Sequence, residues 1–597
     1  MDAHPRLAAL RQRLQALGLA AVVVPTADPH LSEYLPERWK GRKWLSGFHG
    51  SVGTLVVTPD FAGLWTDSRY FEQAERELAG QPIQLMRLRI AHTPEHVDWL
   101  AEHLPAGAVV AVPGDVLSLA ARAQMLERFA ARGIVLRTDL DPLDAIWTAR
   151  PGLPDAYVRE HARAYAAATR SERLQRVRGA MRAHGASHHL VSSLDDVAWI
   201  TCLRGSDVPY NPVFLAHLLI GPERATLFVA PGKLAAPLAA RLSTDGIDLA
   251  PYGEAAEAVA ALPTEARLLL DPRRVVCALT EALPAGVQRL EAVNPSQRFK
   301  ALKSEAELEH VRRTMEHDGV ALVRFLRWFE AAQAREEALT ELDLAEKLHG
   351  FRAQQEGFVS ESFATIAGYQ ANGALPHYRA TVANHARLES HGLLVLDSGG
   401  QYEGGTTDIT RTLALGEVTP EQRRDYTLVL KGMIALSAAR FPRGTTGPQL
   451  DALARAPIWA DGINYGHGTG HGVGYFLNVH EGPQAIRPPL AGETAAPLEP
   501  GMITSNEPGI YRPGRHGVRI ENLIATVPAG SSEFGDFLAF ETLTLCPIDT
   551  RPIERDRLRA DEAAWLDAYH AQVLARLEPH LDPAERHWLA QRCAPLA

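Results

Sequence analysis

Two aspartates bracket a glycine-rich stretch in LLVLDSGGQYEGGTTDITRT: Asp397 ends one apolar run and Asp408 opens the next. The intervening Gly399, Gly400, Gly404 and Gly405 are a hairpin signal. A hairpin symmetric about Tyr402 and Glu403 predicts the two aspartates directly opposite each other, with Cβ atoms roughly 5 Å apart on one face. Like charges so placed destabilise a ladder and demand a proton, an arginine or a cation. Arg411 is three residues beyond Asp408, so in a regular strand it points to the other face and compensates poorly. A metal ion answers the demand better.

Three further features add to this pair. His467-Gly-Thr-Gly-His471-Gly-Val-Gly474 places two imidazoles among glycines that permit close backbone approach. It does not match GxGxxG, and GxxxxGK[ST] is absent from the chain, so phosphate cradling is unsupported. His480-Glu481-Gly482-Pro483 follows with Gln484 where HExxH needs its second histidine, which excludes a zincin. Glu507 ends the run MITSNE, and Glu521 lies within VRIENLI between Ile520 and Leu523; glutamate is depleted in strands and seldom buried unpaired. Asp397, Asp408, His471, Glu507 and Glu521 together carry four carboxylates, charge −4, and one imidazole. Two divalent cations neutralise that set. Mainly oxygen donors favour a hard or borderline ion such as Mn²⁺, with Zn²⁺, Co²⁺ or Fe²⁺ open. Two such ions about 3.5–4 Å apart form a hydrolytic clamp.

The elements that must position these residues occupy the latter half of 597 residues, a length that predicts three or four domains. The first 300 residues read as a duplicated α/β module. Leu10, Arg11, Leu14, Gly18, Thr26 and Asp28 recur as Val177, Arg178, Met181, Gly185, Ser193 and Asp195, and LVVTPDFAGLW (Leu55–Trp65) aligns with LLIGPERATLF (Leu218–Phe228). The Pro- and Gly-rich WTARPGLP (Trp147–Pro154) is the expected joint. A third region starts near Phe299. Ser304 with Glu307, and Thr419 with Gln422 after Pro420, read as capping boxes, and Asp582 starts a last helix. Trp565, Tyr569, Val573 and Leu577 form a stripe expected to be core. Expected domains are 1–150, 151–298, 299–536 and a C-terminal extension 537–597.

The balance of charge, 61 Lys and Arg against 71 Asp and Glu, argues against a nucleic-acid footprint. No apolar run approaches the ~18 residues of a membrane span, and the N-terminus lacks the apolar core of a secretory signal. With four scattered cysteines and no CxxC pair, the expectation is a cytoplasmic protein without a disulfide framework.

The stretches GYQANGALPHY, DSGGQYEGGTTDITRT, HGTGHGVGYFLNVHEGP, SNEPGIYRPGRHGVRIEN and ETLTLCPID resemble the pita-bread metallopeptidases, and among them the three-domain cytosolic Xaa-Pro aminopeptidases (aminopeptidase P). The resemblance extends from WTDSRYF and RGSDVPYNPVF to the C-terminus. It implies an α/β (α+β) architecture: two creatinase-like N-terminal modules, then a pita-bread catalytic domain with a helical extension. It implies two divalent ions per subunit, with Asp397 bidentate on one, Asp408 and Glu521 bridging, and His471 and Glu507 on the other. It further implies that Glu507 shuttles a proton, that His377 and His480 contact substrate, and that Arg69 reaches it from the first module. The implied substrates are peptides with an N-terminal Xaa-Pro, the implied assembly a homodimer. A prolidase acting on Xaa-Pro dipeptides is the nearest alternative, and a metal-free binding module the more distant one. Around these positions, His467 is expected to bond backbone within its loop, Arg519 to pair with a ligand carboxylate, and Tyr475 and Phe476 to line a wall or the core.

Overall fold

The computed structural model describes residues 4–90, 93–490 and 494–596. The chain divides into two compact units, one of 1–161 and 168–297, the other of 162–167 and 298–597.

The first unit contains the same six-stranded sheet twice. In strand order these are Gln84–Arg87, Ala62–Thr66, Thr54–Val57, Ala21–Pro25, Val109–Ala111, Val135–Arg137, and Ile247–Pro251, Ala225–Val229, Ala216–Ile220, His188–Val191, Arg267–Leu270, Gln288–Glu291. Both have two antiparallel pairings at the centre and parallel pairings outside them. The duplication read from the sequence is therefore a duplication of topology. Leu10 and Leu14 on helix His4–Leu17 share a core with Val22 and Leu55 of the first sheet, and Val177 and Met181 on helix Arg170–Ala183 are likewise buried. Each helix ends at a glycine with positive φ, Gly18 at 64° and Gly185 at 67°, the left-handed cap that glycine adopts without strain.

His189, on the second sheet, is fully buried beside Leu269, whose carbonyl accepts from Nδ1–H at 3.0 Å. Burial pushes its pKa down to about 4. The unfolded chain therefore binds the proton that the folded chain refuses between pH 6.5 and 4. The contribution of this group to stability is expected to be full above pH 6.5 and to decline as pH falls toward 4, by about 3 kcal/mol. A His189→Gln variant is expected to show a correspondingly shallower loss of unfolding free energy over that window. Parallel pH–stability curves for the two proteins are the opposing result.

The second unit is built on the long helix Glu305–Ala334. It starts with the expected capping box, Ser304 N–H to Glu307 Oε2 at 2.9 Å. Helix Pro420–Ser437 starts likewise at Thr419, and helix Pro583–Arg592 at Asp582. These helices cover a three-stranded sheet (Ile366–Tyr369, Leu393–Ser398, Ile409–Ala414) and a four-stranded one (Arg440–Pro442, Gly535–Thr542, Asn522–Ser532, Ile503–Asn506). On helix Ala560–Leu577 the buried stripe is Leu566, Tyr569, Val573 and Leu577, within the main core; Trp565 is partly buried and stacks on Tyr569.

The hairpin register differs from the symmetric expectation. Tyr402 faces Gly405, so the turn centres on Glu403 and Gly404, and Asp397 faces Thr410. Asp408 lies just before strand Ile409–Ala414, two residues from that partner. Because side chains alternate with period two, a shift of two keeps Asp408 on the face of Asp397 but makes the pair diagonal.

Candidate metal centre

Five separate strand ends or turns deliver the four acidic side chains and the imidazole. Asp397 is held by the central strand Leu393–Ser398, buried along its whole length. Glu507 directly follows strand Ile503–Asn506, its N–H donating to Thr469 O at 2.8 Å. Glu521 sits between strands His516–Arg519 and Asn522–Ser532, its N–H donating to Thr410 O at 3.0 Å. His471 lies in the short strand Gly470–His471. The glycines around it are sterically required: a Cβ on Gly470 would meet Ser505 O at 1.9 Å, and one on Gly472 would meet Glu481 O at 2.0 Å.

The side chains converge. Ligand atoms of Asp408, His471 and Glu521 all lie within 4.8 Å of one another. His471 Nε2 is 3.3 Å from Asp408 Oδ2 and 3.4 Å from Glu507 Oε1. Asp397 Oδ2 accepts from Arg519 Nη2 at 2.5 Å, the pairing expected for Arg519. Thr410, on the same face as Asp397, donates to Glu521 Oε2 at 2.8 Å, and Ser505 Oγ donates to Glu507 Oε1 at 3.1 Å. Arg411 points the other way, to Pro547 O, Cys546 O and the Tyr569 hydroxyl.

The electrostatics of this cluster call for added positive charge. Burial first, then the neighbouring carboxylates, holds Glu521 well above the usual carboxylate range. The same causes push Glu507 up to about 7, against the pull of His471 and Arg519. Burial raises Asp397 too, with Arg519 opposing and Asp408 adding. Burial alone would lower His471, but Asp408 and Glu507 outweigh it and lift it to about 9. Among the described residues Asp397 Oδ1 and Glu521 Oε1 are buried with no hydrogen-bond donor, a costly state for carboxylate oxygens unless a cation meets them. His471 Nδ1 lies 3.0 Å from Gly472 O; as donor there, it leaves Nε2 facing the carboxylates, and once deprotonated that nitrogen would be free to bind a cation, as in a metal-binding histidine. The residues thus fit divalent cations. With all four carboxylates ionised and a neutral imidazole, the set together with Arg519 would carry −3, so two divalent ions would leave one positive charge for an anionic oxygen.

A second layer of contacts was not readable from spacing alone. Tyr511 OH accepts from Arg519 Nη1 at 2.6 Å and contacts His467 Nε2 at 2.8 Å, while His467 Nδ1 lies 2.8 Å from Gly468 O. His467 therefore does bond its own loop, and in addition props the tyrosine that steadies Arg519. Buried Arg455 donates to Asp451, Tyr465 O and His467 O, which fixes the loop leading to His471. Tyr475 and Phe476 are buried. The His480 ring stands edge-on to His471, centroids 4.2 Å apart. His377 is half-buried and follows Pro376, whose carbonyl accepts from Arg519 Nη2 at 3.2 Å. Arg69 belongs to the first unit, its guanidinium bidentate on Asp67 at 2.8 and 2.7 Å.

Comparison with known proteins agrees with this chemistry. Residues 309–527 match metallopeptidase family M24 and residues 536–596 the C-terminal region of M24 peptidases; 6–144 and 149–307 each match a creatinase/prolidase N-terminal domain. Aminopeptidase P2 of Arabidopsis thaliana is 37% identical over 97% of this chain and 86% of its own. A probable Xaa-Pro aminopeptidase P of Botryotinia fuckeliana is 36% identical over 99% and 92%. The chain belongs to the Xaa-Pro aminopeptidase P family of M24 metallopeptidases. The crystal structure of an X-prolyl aminopeptidase from Caenorhabditis elegans, described as a cytosolic enzyme with a di-nuclear active site, superposes with a TM-score of 0.95 at 33% identity over all of both chains. The α/β architecture of this family, with two creatinase-type modules before the M24 region, is the one expected from the sequence. Among the described residues no helix is long and apolar enough to cross a membrane.

Proposed function

We propose that this chain is a two-metal aminopeptidase that releases the N-terminal residue from peptides with proline in second position. The observation that carries the proposal is the convergence of Asp408, His471 and Glu521, with Glu507 on His471 and Asp397 held by Arg519, and with buried oxygens of Asp397 and Glu521 that lack donors among the described residues. These five would hold the ions. Bound there, two divalent ions would polarise the scissile carbonyl and acidify a water molecule. Proline offers no amide N–H and fixes its φ near −65°, so its bond needs a dedicated site. Glu507 is more accessible than the two aspartates, its side chain 18% exposed against 10% for Asp397 and 6% for Asp408. It takes a proton at Oε and delivers it to the leaving proline nitrogen. His480 donates to the developing oxyanion, and His377 contacts the substrate beside Arg519. Arg69, preset by Asp67, is assigned to substrate as well.

Mn²⁺ as the ion, a homodimer, a cytoplasmic location and domains of 1–150, 151–298, 299–536 and 537–597 complete the proposal. Their support is the oxygen-rich donor set for the first and the family resemblance for the rest.

The deciding experiment is a hydrolysis panel of Xaa-Pro dipeptides against Xaa-Pro-Yaa peptides with Mn²⁺, Zn²⁺ and Co²⁺ in parallel. Longer peptides are expected to be the better substrates. Strong dipeptide preference would make the chain a prolidase, and absence of both bound metal and activity would make it a binding module. Within the site, His480→Ala is expected to lower kcat by roughly 10²–10³; an effect confined to KM would reassign His480 to ground-state binding.

A further inference from the structure

His377 lies in the connection between strands Ile366–Tyr369 and Leu393–Ser398. One buried carboxylate joins both ends of this connection. Glu341, the first residue of helix Glu341–Arg352, is 0% exposed. Its Oε1 accepts from the Tyr369 N–H at 2.8 Å and from Asn372 Nδ2 at 3.0 Å; its Oε2 accepts from the Tyr378 hydroxyl at 2.8 Å and the Ala386 N–H at 2.7 Å. The Glu341 N–H in turn donates to Ala386 O at 3.1 Å. Four donors fill the acceptor sites of an ionised carboxylate, and all four are neutral. Burying a charge is tolerated only with such complete satisfaction, so the segment is tightly constrained wherever a donor sits. One of the donors, Tyr378, is the direct neighbour of His377, and Asn372 also reaches the Tyr378 hydroxyl, at 3.0 Å. On its other side, Pro376 O rests on Arg519 Nη2, the nitrogen that also holds Asp397.

We infer that Glu341 is a positioning residue that, through Tyr378, sets His377 beside the metal centre for contact with substrate. The inference rests on the reading of His377 as substrate-contacting. A glutamine at 341 has one acceptor oxygen and an NH₂ that would face donors, so one end of the loop is released while the metal-ligand strands are untouched.

The test uses the full-length Mn²⁺-loaded enzyme and an Xaa-Pro-Yaa tripeptide. Glu341→Gln is expected to lower kcat/KM about a hundredfold, the scale of a ~1 Å misplacement, with metal content per subunit equal to wild type. Tyr378→Phe, which removes one hydrogen bond to a charged group, is expected to lower it about tenfold. In a His377→Ala background both changes are expected to cost less than about twofold, because coupled residues are not additive. Equal losses in both backgrounds, or loss of metal, would overturn the inference and make Glu341 part of the general scaffold. If Glu341→Gln does not fold, Tyr378→Phe in the two backgrounds separates the same two outcomes. If His377→Ala alone leaves kcat/KM unchanged, the reading of His377 fails first and takes this inference with it.

Discussion

Replacing Asp408 by alanine is expected to lower turnover by more than about a thousandfold, since metal ions supply several kcal/mol of transition-state stabilisation at about 1.4 kcal/mol per decade. Asp408 is shared within the cluster: it lies with His471 and Glu521 in the trio whose ligand atoms fall within 4.8 Å, and its Oδ2 is 3.3 Å from His471 Nε2. It also raises the proton affinity of Asp397, Glu507 and Glu521. Its removal therefore has two opposite consequences. Metal loses a ligand common to the group, while the metal-free protein loses a source of repulsion. The chelator-treated variant is expected to unfold at the same temperature as chelator-treated wild type or higher. Added Mn²⁺ is expected to raise the unfolding temperature of wild type only. Elemental analysis, a tripeptide assay and two thermal scans decide the matter. More than about a tenth of wild-type turnover, or two ions still held per subunit, would remove Asp408 from the proposed ligand set.

The difference between what the sequence discloses and what it conceals is one of range. Alternation and turn chemistry are local, so the duplicated module, the capping boxes at Ser304 and Thr419, and the shared face of Asp397 and Asp408 could all be read from the chain. The register of the hairpin could not. Four glycines permit several turns, and the actual one centres on Glu403–Gly404 because Gln401 pairs with Thr406 and Tyr402 with Gly405. The contacts that steady the proposed ligands are non-local. Thr410 reaches Glu521, Tyr511 joins Arg519 to His467, Arg455 gathers the loop before His471, and Glu341 closes the His377 loop. Thr, Tyr, Arg and Glu occur throughout any soluble chain, and no spacing distinguishes these instances. Their signal is burial together with a full set of hydrogen-bond partners, which only the folded chain displays.

The proton-transfer role assigned to Glu507 predicts a loss that differs in kind from that at Asp408. Glu507→Gln keeps the length of the side chain and an oxygen that can still face a cation and accept from Ser505 Oγ, now 3.1 Å from Oε1. Metal content per subunit is therefore expected to stay close to wild type, whereas kcat is expected to fall by about 10²–10⁴, the usual contribution of a positioned acid–base group. KM is expected to change little, because the amide still fills the space of the carboxylate. A second substrate separates proton delivery from simple ligand loss. Breaking the amide bond requires protonation of the proline nitrogen, but an ester analogue expels an oxygen leaving group with far less need of a proton. If Glu507 carries the proton, the variant's loss is expected to be about tenfold or more smaller on the ester than on the peptide. Equal losses on both substrates, accompanied by a fall in bound metal, would leave Glu507 as a ligand only and return the proton transfer to another group at the site.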